Sequence, residues 1–245
     1  MYHCGRQNRP PAGGVAKVYG SLPARREIVQ VCRRLYDRGL IAGPDGNVSV
    51  RLSGDRVLVT PSGMSKVDVT EADLVELALD GDHRRGARRA SSEVAVHLRI
   101  YQRRPDVQAV VHAHPPTATG FAVAGESFSA CVLPEIIYQV GWVPLVPYAT
   151  PGTVALADAF EPFLARHDAF LMANHGATTV GPSLLLAHQR MESLEHTAKI
   201  LLAARLLGRV QTLGPEDVRA LETARAKAYP GEIYPGCPVP GGREE

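Results

Sequence analysis

Residues 109–116 read AVVHAHPP, an apolar run that halts at two histidines and is closed by two prolines. The segment VQAVVHAH has the character of a buried strand. Side chains two apart on a strand point to the same face. His112 and His114 therefore present their imidazoles side by side at a strand end. A second apolar run, AFLMANHGATTVG (169–181), is broken by Asn-His-Gly and puts His175 in a comparable place. Gly176 after it lets backbone or substrate approach closely.

The rest of the chain alternates helix and strand patterns with short connections. LPARREIVQVCRRLYDRGL (22–40) carries Ile28, Val31, Cys32 and Leu35 on one helical face, with Gly39 as a stop. NVSVRL and RVLVTP read as short strands around the turn SGD. TEADLVELAL reads as a helix onset followed by a strand. SEVAVHLRIYQRRPD (92–106) is a predicted helix ended by Pro105. PPTATGFAVAG opens with prolines suited to a first helical turn. GWVPLVPY is extended, and GTVALADAFEPFLARH is a helix opening at Thr153. A long helix, 183–208, stops at Gly208, and a last one covers GPEDVRALETARAKAY. This mixture predicts an α/β sandwich with a central sheet between helix layers. The strand order is not readable from it. Residues 1–20 and 235–245, rich in Pro and Gly, read as flexible tails flanking a single domain over 21–234.

With 245 residues, 45% of them hydrophobic, the chain can bury a substantial core. A net charge of +2 gives no electrostatic case for a nucleic-acid partner. The N-terminus has no apolar leader and no window is long enough to span a membrane, so a soluble cytoplasmic protein is expected. Cys4, Cys32, Cys131 and Cys237 show no C-x-x-C spacing, which argues against a disulfide framework and a cysteine zinc site.

Two histidines on one strand face, with a third from another strand end, suit a catalytic metal site that keeps an open position. The plainer reading is that they are polar residues at strand ends. His3, His83 and His167 read as surface or tail residues, and His97, His188 and His196 as structural residues on helices. SSE (91–93) opens the helix before the H-x-H strand. Its serines would cap that helix, with Glu93 in the first turn. The same hydroxyls and amides also suit an anion. The turns GNVS (46–49) and TPSGMSK (60–66) are small and polar, and together with SSE they could cradle a phosphate.

Taken in order, GNVSVR, TPSGMSK, SSE…YQRRPDVQAVVHAH, PYATPGT and NHG resemble the class II aldolase/adducin family over about residues 25–230. The resemblance implies a three-layer α/β/α fold with a mostly antiparallel sheet, usually assembled as a homotetramer with active sites between subunits. It implies Zn²⁺, or another divalent metal such as Mn²⁺ or Co²⁺, on His112, His114 and His175. It implies Glu93 as the catalytic acid/base and Asn47, Ser62, Gly63, Ser91 and Ser92 as the substrate-phosphate pocket. Tyr229 matches a tyrosine that protonates the aldehyde oxygen in a neighbouring subunit's site. A second active-site tyrosine of the aldolase is replaced here by Leu133, with Glu135 and Tyr138 nearby but not aligned. Lys66 reads as a turn residue or phosphate neighbour.

The implied activity is cleavage of a ketose 1-phosphate, through an enediolate, to dihydroxyacetone phosphate and an aldehyde. Leu133 favours a less polar aldehyde, as from a deoxy- or methylthio-pentulose phosphate. Within the family the alternatives are a 4-epimerase, a dehydratase or a 3-oxo-acid phosphate decarboxylase. Outside enzymes stands a non-enzymatic adducin-like module, which the intact histidine set and Glu93 oppose. A metallohydrolase would want a further carboxylate cluster that the sequence lacks.

Overall fold

A computed structural model describes residues 21–128, 131–229 and 232–238. Of the tails expected at 1–20 and 235–245, residues 1–20 and 239–245 lie outside the described residues, while 235–238 are described and are held by a disulfide at Cys237. The chain forms α1 (Ser21–Asp37), β1 (Asn47–Leu52), β2 (Arg56–Val59), β3 (Val75–Ala78), β4 (His83–Arg85) and α2 (Val94–Arg103). There follow β5 (Ala109–Ala113), α3 (Pro116–Val123), α4 (Pro134–Gln139), β6 (Leu145–Val146), α5 (Val154–Ala159) and α6 (Glu161–Leu164). β7 (Ala169–Met172), β8 (Gly176–Gly181), α7 (Leu184–Leu206) and α8 (Pro215–Ala228) complete it.

The eight strands make one sheet in the order β4-β3-β2-β1-β5-β8-β7-β6. Only β6 and β7 pair in parallel; the other pairs are antiparallel. This is the expected α/β sandwich with a mostly antiparallel sheet. Alternation along each strand feeds two cores. Ala109, Val111 and Ala113 of β5 pack with Ile28 and Leu35 of α1, Phe121 of α3 and Leu194 of α7. Val110 faces the other way, toward Tyr101 of α2, Leu156 of α5 and Phe170 of β7. His112 and His114, in phase with Val110, belong to the α2 face. Full burial of a side chain such as Ile28 or Leu35 contributes roughly 1.5–3 kcal/mol.

Several expectations are corrected. No helix starts at TEADLVELAL: Asp73 Oδ2 accepts from Thr70 N at 3.0 Å and Thr70 Oγ1 at 2.6 Å, closing a turn before β3. The helix expected over 152–167 splits into α5 and α6 where Pro162 lacks a donor. Ser91 and Ser92 do not cap α2. Glu93 itself occupies the N-cap position, with its side chain directed elsewhere. His167 is not a surface residue; it is 4% exposed, with Nδ1 3.1 Å from Trp142 O. Cys131 and Cys237 are joined in a disulfide across 106 residues, which no sequence spacing signalled. The segment up to Cys237 returns over the end of α4 and onto α8, where Trp142 N donates to Gly236 O and Cys237 N to Glu222 Oε1.

Candidate metal centre

The β1–β5–β8 centre of the sheet sets the geometry. Asn47 opens β1 directly opposite His112 on β5, and Thr178 on β8 opposes His112 from the other side. His114 follows one residue beyond β5. His175 sits in the turn between β7 and β8, where Asn174 adopts φ 54° and His175 N donates to Met172 O. Gly46 precedes β1 at φ 71°, and a Cβ there would stand 2.8 Å from His112 O. Only glycine lets that turn pass so close to the H-x-H strand.

The three imidazoles converge. Their ring centroids lie 4.8–5.1 Å apart, and one nitrogen from each falls within 4.8 Å of the others. His112 Nε2 and His114 Nε2 are 3.1 Å apart. His112 Nδ1 lies 3.0 Å from Ala177 O and donates there, so Nε2 is the nitrogen turned toward the other two rings. His114 Nδ1 lies 3.3 Å from Asp45 Oδ2. Gly176 completes the cradle: a Cβ there would meet His114 Cδ2 and Ala113 O, each at 2.6 Å.

Glu93 closes the group. Its Oε2 is 3.1 Å from His112 Nε2 and its Oε1 3.0 Å from His175 Nε2. Burial alone would raise its pKa, but His112 and His175 overcome burial and hold it far below the ordinary carboxylate range. Burial, then His112 and His175, push His114 down to about 4. Converging imidazole nitrogens closed by a carboxylate form a donor set that calls for a cation. Three histidines with an open side fit a divalent metal of the zinc type.

Beside the histidine group lies a cleft of ≈ 160 Å³. Asn47, Ser62, Gly63, Ser91 and Ser92 all line it, together with Glu93 and His114. The turns singled out in the sequence therefore meet in space. Lys66 lines the cleft as well. It is 2% exposed, its Nζ donates to Pro44 O at 2.7 Å and Met64 O at 2.8 Å, and burial lowers its pKa. It is a built part of the wall, which its setting in a Ser/Gly turn did not signal. Asn47 is more than a cleft residue: Nδ2 donates to Glu93 Oε2 at 3.1 Å, and Oδ1 contacts His97 Nε2. Tyr229 stands apart from the cleft residues. Its ring packs on Tyr138 at 5.6 Å, beside Arg225. Leu133 is the N-cap of α4 and packs against the larger core.

This arrangement can be set beside known proteins. The model of the Class II Aldolase and Adducin N-terminal domain matches residues 26–202. The chain belongs to the class II aldolase and adducin family. It is 32% identical over 215 residues to a 3-oxo-tetronate 4-phosphate decarboxylase of Pectobacterium atrosepticum, covering 85% of this chain and 97% of that protein. It is 36% identical over 200 residues to a 5-deoxy-D-ribulose 1-phosphate aldolase of Bacillus thuringiensis, covering 79% and 90%. Among solved structures, an L-fuculose 1-phosphate aldolase aligns with a TM-score of 0.78 at 31% identity, covering 82% of this chain and 95% of that one. These class II relatives are enzymes that act on phosphorylated sugars or sugar acids. Among the described residues, no helix is long and apolar enough to cross a membrane.

Proposed function

We propose that this protein is a metal-dependent lyase that releases dihydroxyacetone phosphate from substrates of the form phosphate–CH₂–CO–CHOH–R. The observation that carries this is the hydroxyl- and glycine-lined cleft running directly into Glu93 and His114. A phosphate held by Ser62, Gly63, Ser91 and Ser92 leaves the carbonyl and the adjacent hydroxyl at the histidine group. His112, His114 and His175 would hold the metal, Zn²⁺ or a similar divalent ion. When bound, that ion supplies Lewis-acid stabilisation of negative charge on substrate oxygens.

The bond between the hydroxyl-bearing carbon and R breaks, and its electron pair delocalises into the carbonyl as an enediolate. Glu93 delivers a proton to the carbon left behind, which yields dihydroxyacetone phosphate. In an aldol cleavage R leaves as an aldehyde, and its hydroxyl proton must be taken up; Tyr229 is assigned that exchange, at the site of a neighbouring subunit in a homotetramer. Leu133 in place of a tyrosine favours a less polar R, as in a deoxy- or methylthio-pentulose 1-phosphate. A second reading follows from the match to 3-oxo-tetronate 4-phosphate decarboxylases over most of this chain. There R is a carboxylate that leaves as CO₂, with no hydroxyl proton to remove and the same phosphorylated product. A soluble, cytoplasmic location belongs to the same reading.

The test couples dihydroxyacetone phosphate release to a reductase assay, with and without chelator. The panel is 5-deoxyribulose, fuculose and methylthioribulose 1-phosphates and 3-oxo-tetronate 4-phosphate. Chelator-sensitive release with one equivalent of aldehyde establishes the aldolase, and release with CO₂ the decarboxylase. No release from any of the four refutes the proposal.

A further inference from the structure

Behind Glu93, away from the cleft, a chain of buried polar groups runs into the sheet. A deprotonated carboxylate only accepts hydrogen bonds. Glu93 Oε2 therefore faces the amide nitrogen of Asn47, 3.1 Å away, and the opposite amide orientation would set two acceptors against each other. That choice fixes the next groups. Asn47 Oδ1 faces His97 Nε2, so Nε2 carries the proton. His97 Nδ1 is then an acceptor, and the Ser49 hydroxyl donates to it at 2.6 Å. Ser49 Oγ in turn accepts from the Tyr101 hydroxyl at 2.8 Å. Asn47, His97, Ser49 and Tyr101 are 3%, 1%, 0% and 1% exposed, so water does not substitute for a missing partner.

We propose that His97 is a positioning residue for Glu93: in its Nε2–H tautomer, with Nδ1 accepting from Ser49, it holds the Asn47 amide with its N–H toward the Glu93 carboxylate. The inference rests on the proton-transfer role given to Glu93 above. Two of the Glu93 contacts come from His112 and His175, whose nitrogens a metal would engage. The Asn47 N–H is the contact that stays available when they are so engaged. It holds the carboxylate while Glu93 exchanges its proton. Burial, with His112 adding to it, holds the His97 pKa down at about 3, in keeping with a neutral ring.

The test uses the Zn²⁺-loaded protein. In ¹⁵N NMR the His97 ring should show the Nε2–H tautomer; an Nδ1–H ring overturns the proposal. His97→Phe removes the donor to Asn47 and should lower kcat by about 10- to 100-fold, with KM changed by less than about twofold and zinc content kept. His97→Gln keeps an N–H donor and should recover part of the loss. Ser49→Ala, a smaller change three hydrogen bonds from Glu93, should lower kcat by about three- to tenfold without moving KM; it keeps the proposal testable if His97→Phe does not fold. A kcat within about twofold of wild type in the His97→Phe and Ser49→Ala variants overturns the proposal. So does a parallel loss of kcat, KM and melting temperature that glutamine does not relieve, because that marks mere structural support. Failure of wild-type protein to release dihydroxyacetone phosphate refutes the role given to Glu93, while the tautomer, read without substrate, still decides the polarity of the chain.

Discussion

At the scale of single residues, each ring of the histidine trio has its own tether. His112 is held by Ala177 O and, at 3.3 Å, by Thr178 Oγ1, both on β8. His114 leans on Asp45. His175 Nδ1 is buried without a hydrogen-bond partner, so that ring is aimed by the turn that carries it and by the Glu93 Oε1 contact to its Nε2. His112 is the best anchored and, at 2% exposure, the most buried of the three. Replacing it with alanine leaves two imidazoles and a buried Glu93 carboxylate short of a partner. The His112→Ala protein should lose stoichiometric metal, read by elemental analysis after dialysis, and should lose activity by at least about a hundredfold. A variant that kept both would show that the trio is not the metal site.

At the scale of elements, the β7–β8 hairpin does for His175 what the β5 strand does for the other two. It turns tightly enough that Gly176 pairs with Met172 while lying against the H-x-H strand. The Gly176→Ala change forces a Cβ to within 2.6 Å of a backbone carbonyl and of the His114 ring. Its backbone neighbour cannot give way cheaply. Stability should fall by about 1–3 kcal/mol in chemical denaturation, and metal affinity should fall with it. An unchanged affinity would mean that the hairpin does not set the metal geometry. This part of the site was legible in the sequence because it is local: period two placed His112 and His114, and a broken apolar run placed His175. What was not legible depends on long-range partners. Glu195, deep in α7, accepts from Thr117 N and Ala118 N at the start of α3, beside the H-x-H strand, yet reads in the sequence as one more helical glutamate. His97 reads as a structural helix residue because Asn47 and Ser49 come from a strand some fifty positions earlier. The order of the strands and the small helix α4, six residues long, left no periodic trace.

At the scale of the whole molecule, two features set conditions for stability. The Cys131–Cys237 disulfide ties the end of the described chain to the segment leading into α4 across 106 residues. Closing so long a loop restricts the unfolded chain, so Cys237→Ser should lower unfolding free energy by about 2–4 kcal/mol; no change would show that the segment contributes little to the fold. The second feature is a set of imidazoles kept neutral by burial. Burial lowers the pKa of His97 to about 3 and also lowers those of His167 and His188, against an ordinary value of 6.5. Below about 6.5 the unfolded chain therefore binds protons that the folded chain refuses. The stability these groups confer is complete above that pH and is lost as the pH falls toward their folded values. The carboxylates held below their ordinary range, Glu76 and Asp106 among them, add their loss only nearer pH 4. The interval from about pH 6.5 to about pH 4.5 belongs to the histidines. Melting temperature should drop steadily across it, both with saturating metal and after chelation, because His167 and His188 lie outside the trio of His112, His114 and His175. A melting temperature flat over that interval would mean that these buried rings take up protons without cost to the fold.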